Sequence, residues 1–270
     1  MTSAGHNQNC SHPLMRSNLN QPGQLWVETY YRPVSSFVVV LYVAFVHLGQ
    51  AHMANRKPMA CKNAALVLNG CIALFSFATV FHTTPDLISS WRDTGFFGTY
   101  CYAGTYFSDP TTGLWGVMFV LLKAVELLDT TLMVLNKRSV LLLHWTHHAI
   151  VFLLPQFVLT NGAAFYRYCV YVNSLMHVAQ YSYFFLRCLG VGFVKRLRIW
   201  MQFLQMLHLL ALIFFVSHLG LAKLWLPADQ FDCDFDWRSF TMSWLGFVYL
   251  EVLVFVLFLQ WNCQKSRKND

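Results

Sequence analysis

The run HWTHH, His144 to His148, places imidazoles at positions i, i+3 and i+4, which share one face of a helix. At neutral pH an imidazole can act as nucleophile, general base or metal ligand. A second polar group precedes it. Lys123, Glu126 and Asp129, beside Thr130, keep to one broad helix side. A third follows, with Asn173 and His177 at i and i+4, then Gln180, Tyr181 and Tyr183; a fourth holds Gln202, Gln205 and His208. A carboxylate beside an imidazole fixes its tautomer and raises its basicity. Lys123 and Glu126 can form a buried pair that lowers the cost of keeping either charged. That pair reads equally well as structural, and Gln202 and Gln205 as polar glue between helices. A lone buried histidine is commonly a satisfied core residue, but three within five residues of an apolar segment call for a chemical reading.

The elements that carry these groups are otherwise apolar. Of 270 residues, 56% are hydrophobic and 11% charged, against roughly a quarter charged in soluble domains. Mean hydropathy is +0.44. A soluble fold of this size cannot hide so much apolar surface, and disorder or a disulfide-rich secreted scaffold is excluded. The expected fold is an all-α polytopic membrane protein. A span needs about 20 apolar residues, and seven are expected, at about 34–54, 63–83, 114–135, 139–159, 163–187, 199–220 and 241–262. A polar segment, 1–33, precedes them, with no secretory signal peptide, and a basic tail, 263–270, follows. The loop 84–113 is long enough to carry short elements. No internal repeat is evident.

Twelve of the 19 Lys and Arg fall in loops after odd-numbered spans or in the tail; six fall on the opposite side, and Lys123 lies inside span three. This bias puts the C-terminus in the cytosol and the N-terminus in a lumen, and assigns the net charge of +7 to topology rather than to nucleic acid. Asn9-Cys10-Ser11 is a glycosylation sequon on the lumenal side. Arg267 to Asp270 reads as a basic retrieval or stop-transfer tail. Cys101 and Cys233 fall in the two long lumenal loops, where a disulfide can form. At about 1.5 Å per residue, the polar groups of four successive spans lie roughly 6–15 Å from the cytosolic helix ends. Such agreement in depth predicts one polar chamber opening to the cytosol. Ionisable groups inside spans are costly and mark function by default; Glu251, isolated in span seven, has no evident role.

The four polar groups resemble the signatures of the ELO family of very-long-chain fatty acid elongases, the 3-ketoacyl-CoA synthases of the endoplasmic reticulum membrane. KAVELLDT, Lys123 to Thr130, matches K-x-x-E-x-x-D-T. HWTHH is the histidine box. NSLMHVAQYSYF, Asn173 to Phe184, resembles N-x-x-x-H-x-x-M-Y-x-Y-Y, with Gln180 and Phe184 as departures. IWMQFLQ, Ile199 to Gln205, resembles T-x-x-Q-x-x-Q, with Ile199 in place of Thr. These departures spare every ionisable residue, so they imply a changed pocket shape or substrate preference rather than lost activity.

The resemblance implies condensation of a long-chain acyl-CoA with malonyl-CoA to 3-ketoacyl-CoA, carbon dioxide and CoA, by a ping-pong route with the acyl group on a histidine and with no metal or cofactor. By that resemblance His147 is the nucleophile, and His177 binds or polarises the malonyl unit. His144, His148, Asp129 and Glu126 orient and tune the imidazoles, with Lys123 pairing Glu126. The enolate left by decarboxylation needs a donor such as Asn173 or a protonated histidine. Lys137, Arg138, Arg187, Lys195, Arg196 and Arg198 form a basic rim for the CoA phosphates, with Gln202, Gln205 and Tyr181 on the substrate side. The acyl chain would run toward the lumenal half, past residues such as Phe214 and Phe215. Trp145 in the box leans toward elongases of saturated and monounsaturated chains. A homo-oligomer, and contact with the reductases and dehydratase of the elongation cycle, are compatible with this reading. Two other classes remain open from the residues themselves: a di-iron desaturase or hydroxylase, which needs more histidines, and a seven-span transporter.

Overall fold

The computed structural model describes residues 22–227 and 233–266. The sequon at Asn9 and the tail Arg267 to Asp270 lie outside the described residues. Every regular element among the described residues is a helix: α1 (Pro22–Trp26), a π-helical turn (Val27–Tyr31), α2 (Arg32–Ala54), α3 (Lys62–Cys101), α4 (Pro110–Leu135), α5 (Leu142–Leu153), α6 (Pro155–Val158), α7 (Tyr166–Leu189), a 3-10 turn (Phe193–Leu197), α8 (Arg198–Trp225) and α9 (Trp237–Ser266).

Among the described residues, four stretches are long and apolar enough to cross a membrane: Pro22–Ala54, Lys62–Cys101, Phe193–Trp225 and Trp237–Gln260. Seven were expected. The other three are not among them: α5 has only 12 residues, α7 holds Arg167, Asn173, His177 and Arg187, and α4 is apolar apart from Lys123, Glu126 and Asp129. The apolar stretches turn bulky side chains outward, as at Phe37, Leu48, Leu74, Phe77, Phe203 and Leu245. An apolar outer surface of this extent suits lipid rather than water.

Three expected boundaries move. Residues from Pro22 on are already helical, ahead of the expected start near residue 34, and Val27 and Tyr31 are buried in the main core. The expected loop 84–113 is largely helix, because α3 runs on through Pro85. Proline removes a backbone donor and crowds the preceding turn. Here Thr83 and Thr84 donate back to the carbonyls of Thr79 and Val80, at 2.8 and 2.7 Å, and support that turn. The helix bends instead at Gly95, whose φ of 71° suits glycine alone. The expected span 139–159 is broken at Leu154, ahead of Pro155, into α5 and α6.

Contacts between connections define two ends of the bundle. At one end Met59 N donates to Leu135 O at 3.0 Å, and Asn69 near the start of α3 lies against Cys188 near the end of α7. Lys137, with φ 54°, donates its ammonium to the carbonyls of Ala54 and Arg56, at 2.8 and 3.1 Å. All six expected rim residues, Lys137 to Arg198, belong to this basic end. At the other end Cys101 and Cys233 form the expected disulfide. Ala103 N donates to Asp234 Oδ2, and Asp234 N to Cys101 O, each at 2.8 Å.

Arg167, in the first turn of α7, anchors this second end. Only 2% exposed, it donates to Asp86 at 2.6 Å, to the carbonyls of Tyr102 and Ala103 at 3.2 and 2.9 Å, and to that of Thr99. Its guanidinium also lies over the Tyr106 ring. The fork thus satisfies carbonyls left over where α3 ends. Tyr106 sits in the connection after α3, and burial pushes its phenol pKa up. Arg167→Met should destabilise the protein by about 3–5 kcal/mol by leaving Asp86 unpaired. Thermal unfolding in detergent measures this, and an unchanged midpoint would show that the anchor carries no weight.

Candidate active site

α4 supplies the centre of the site. Asp109 caps it, accepting from Thr111 N and Thr112 N at 2.9 Å each, and Pro110 starts its first turn. Lys123 and Glu126, 2% and 0% exposed, are sealed inside the bundle. Lys123 Nζ donates to Glu126 Oε1 at 2.9 Å and to Asn173 Oδ1 on α7 at 2.7 Å, and lies 4.3 Å from the Phe119 ring centre. An ammonium can only donate. It therefore fixes the Asn173 amide with its oxygen toward Lys123 and its NH2 free to serve as donor.

Glu126 reaches two further helices. Its Oε1 is 3.3 Å from His177 Nδ1 on α7, and its Oε2 is 4.0 Å from His148 Nδ1 on α5. Around it, Thr130 Oγ1 is hydrogen-bonded to His144 Nε2 at 3.0 Å and to Tyr42 OH of α2 at 2.7 Å. Tyr181 OH donates to Asp129 Oδ2 at 2.6 Å. The rings of His144 and His148 are centred 4.6 Å apart, and those of His147 and His148 5.6 Å apart. His147 is half-buried, with Nδ1 buried and unpartnered. Nδ1 of His148 and of His177 likewise accepts or donates no hydrogen bond within the protein.

A cavity of about 50 Å³ opens beside this cluster. Lys123 and Asn173 stand in its wall, and the rest of the lining is mostly apolar, including Phe119, Val151, Tyr166 and Phe247. Going toward the basic end, His147 lies one turn beyond Val151, and His177 one turn beyond Asn173. The cavity therefore extends from the imidazoles toward the disulfide end.

Of the residues singled out from the sequence, Lys123, Glu126, Asp129, His144, His147, His148, Asn173 and His177 converge through these contacts. Tyr181, placed on the substrate side, donates its hydroxyl to Asp129. Arg138, Arg187, Lys195, Arg196 and Arg198 are exposed. Lys137 is exposed too, but its ammonium serves the end of α2, a job no local pattern announces. Gln202 and Gln205 are half-buried, and Gln202 Oε1 has no partner. Phe214 is exposed and Phe215 packs in the core, and neither lines the cavity. Tyr42 and Phe119 were missed, since nothing local links them to the cluster. His208 was seen but given no role.

A multi-pass helical membrane protein with buried Lys, Glu and His around an apolar cavity is suited to chemistry on a lipidic substrate. Residues 26–270 match the family described as ELO: GNS1/SUR4 family, and the chain belongs to that family. It is 29% identical to Long chain fatty acid elongase 2 of Caenorhabditis elegans, over 82% of this chain and 79% of that protein. It is 32% identical to Very long chain fatty acid elongase 6 of Drosophila melanogaster, over 54% of this chain and 46% of that protein. To Very long chain fatty acid elongase 3 of Mus musculus it is 29% identical, over 59% and 58%. The enzyme class is that of a fatty acid elongase, a 3-ketoacyl-CoA synthase. Family membership decides against the desaturase and transporter readings. Among the described residues, no three His, Cys, Asp or Glu side chains are grouped to hold a metal ion.

Glu126→Gln should lower both stability and elongation, because it strands the Lys123 ammonium in the interior. The double variant Lys123→Met/Glu126→Leu should regain most of the stability and none of the activity. Unfolding midpoints and product formation, measured together, check this; restored activity in the double variant would make the pair purely structural.

Proposed function

We propose that this elongase condenses long-chain acyl-CoA with malonyl-CoA through an acyl group carried on His147. The observation that carries the reading is the apolar cavity, which has Lys123 and Asn173 in its wall and His147 and His177 one turn away. An acyl chain in that cavity brings its thioester to the imidazoles. A ring nitrogen of His147 attacks the thioester carbon, the C–S bond breaks, and the proton lost by the ring goes to the departing CoA thiolate. The free NH2 of Asn173 is the donor aimed at the carbonyl oxygen as it gains charge. Glu126 lies beside His177 and His148 near the reacting group, and Thr130 holds His144. Malonyl-CoA then loses carbon dioxide. The resulting enolate carbon attacks the acyl carbon, the C–N bond breaks, and the released imidazole takes up one proton. Acyl-imidazole hydrolyses readily, so the apolar surroundings matter as protection from water.

In this reading the chain crosses the endoplasmic reticulum membrane seven times. α4, α5 and α7 join the four apolar stretches as spans, with side chains such as Leu121, Leu128, Leu142 and Leu175 facing lipid, and the polar cluster forms a chamber open to the cytosol at the basic end. The N-terminus is lumenal and the C-terminus cytosolic. A disulfide at the opposite end supports a lumen there. Exposed Arg138, Arg187, Lys195 and Arg196 suit the phosphates of CoA. No metal or cofactor enters this route. The preference leans to saturated and monounsaturated chains, supported by Trp145 in the histidine box.

Two measurements test it on purified protein. The first follows CoA release from a panel of acyl-CoAs before malonyl-CoA is added, with intact-protein mass alongside. Release with an acyl-sized mass gain, lost in His147→Ala, is expected. Product made only when both substrates are present, with no mass gain, would remove the covalent intermediate. The second concerns chain length. Tyr166 lines the cavity and donates to Gly116 O at 2.9 Å; Gly116, Tyr106 and Gln24 line a smaller cavity of about 10 Å³ beyond it. Tyr166→Ala should join the two cavities and shift products toward longer chains. An unchanged product profile would place the chain elsewhere.

A further inference from the structure

Three helices each put a histidine one turn from a residue in the cavity wall, always on the side of the basic end. On α5 the pair is Val151 and His147, on α7 Asn173 and His177, and on α8 Leu212 and His208. The spacing is four residues in each case, which keeps each pair on one helix face. Because α5 and α8 run away from the basic end and α7 runs toward it, the three imidazoles lie at the same level. They are close enough for a charge on His208 to be felt at His147 and His177, and one on Lys123 at His208.

His208 differs from His147 and His177, in each of which only Nδ1 is buried and unpartnered. It is buried, and both Nδ1 and Nε2 lack a partner. His144 has Thr130, while His148 and His177 have the Glu126 carboxylate nearby. Leu207, Leu209 and Leu210 surround His208 in sequence, so an apolar side chain would be at home there. Burying two unpartnered nitrogens costs folding free energy. A site that keeps that cost is organised for something that arrives later.

We propose that His208 is a further catalytic residue, whose ring N–H donates to the thioester oxygen of the malonyl unit. The inference rests on the condensation reading above. When the bond to the malonyl carboxylate breaks and carbon dioxide leaves, the electron pair moves onto that oxygen as an enolate. The N–H holds the oxygen without giving up its proton. The pair then returns to form the new C–C bond to the acyl carbon on His147. Acylation, which precedes malonyl binding, does not use His208.

The test compares wild type with His208→Leu and His208→Gln, each purified whole in detergent. Expected for His208→Leu are an unfolding temperature equal to or above that of wild type, normal CoA release from acyl-CoA alone, and a fall in kcat for 3-ketoacyl-CoA of about 100-fold or more. His208→Gln, which keeps an N–H donor, should regain part of that loss. Wild-type condensation by His208→Leu overturns the proposal. So does a loss of stability accompanied by equal losses in both half-reactions, which marks a packing role. If wild type itself turns over no acyl-CoA, the condensation reading fails, whatever the variants do.

Discussion

The ammonium of Lys123 is the group on which the rest of the site depends. A charge sealed in a low-dielectric interior must be paired and hydrogen-bonded, or it will not stay charged. Glu126 meets it from the same helix and Asn173 from α7. Once that bond exists, α4 and α7 are fixed in rotation relative to each other. Glu126 is then directed at His177 and His148, and the Asn173 amide is oriented with its donor free. A structural constraint and a chemical arrangement come from the same three side chains.

Placing such groups in a membrane protein has a consequence for the fold. α4 and α7, which bear most of them, turn the polar groups inward and expose apolar side chains such as Leu121, Leu128 and Leu175 on another face, while α2, α3, α8 and α9 expose further Phe, Leu and Val. Polar satisfaction inside and apolar covering outside are thus combined on the same helices. At the far end Arg167 plays a part parallel to that of Lys123: it is a buried cation whose partners are a carboxylate and the loose carbonyls where α3 ends. The disulfide and Asp234 tie the segment before α9 to the same corner.

The apolar cavity lies between these two fixed regions. One side of it is polar because Lys123 and Asn173 stand there, and the opposite side meets Tyr166, whose hydroxyl is held by Gly116 O. A chain entering between them finds reactive groups at one end and a tyrosine at the other. That layout links the stability of the bundle to what the site can accept, since the residues that hold the helices together are also the walls.

Sequence alone determined the residue types and their helical register. Three histidines in HWTHH share a face, Lys123 and Glu126 are a turn apart, and Asn173 and His177 are a turn apart, because 3.6 residues per turn is a local property. Composition determined the all-helical membrane class, and the placement of Cys101 and Cys233 made their bridge readable. What only the tertiary structure decided is where non-neighbouring groups meet. Tyr181 meets Asp129, Lys137 turns to the end of α2, and Tyr42 completes a chain through Thr130 to His144. Helix ends shifted for the same reason. Pro85 reads locally as a stop, but side chains of Thr83 and Thr84 and the pairing of Asp86 with Arg167 carry α3 past it. His208 was legible as a polar residue on an apolar helix. Its level with His147 and His177 depends on the relative shift of three helices along their axes, which packing sets and no single segment records.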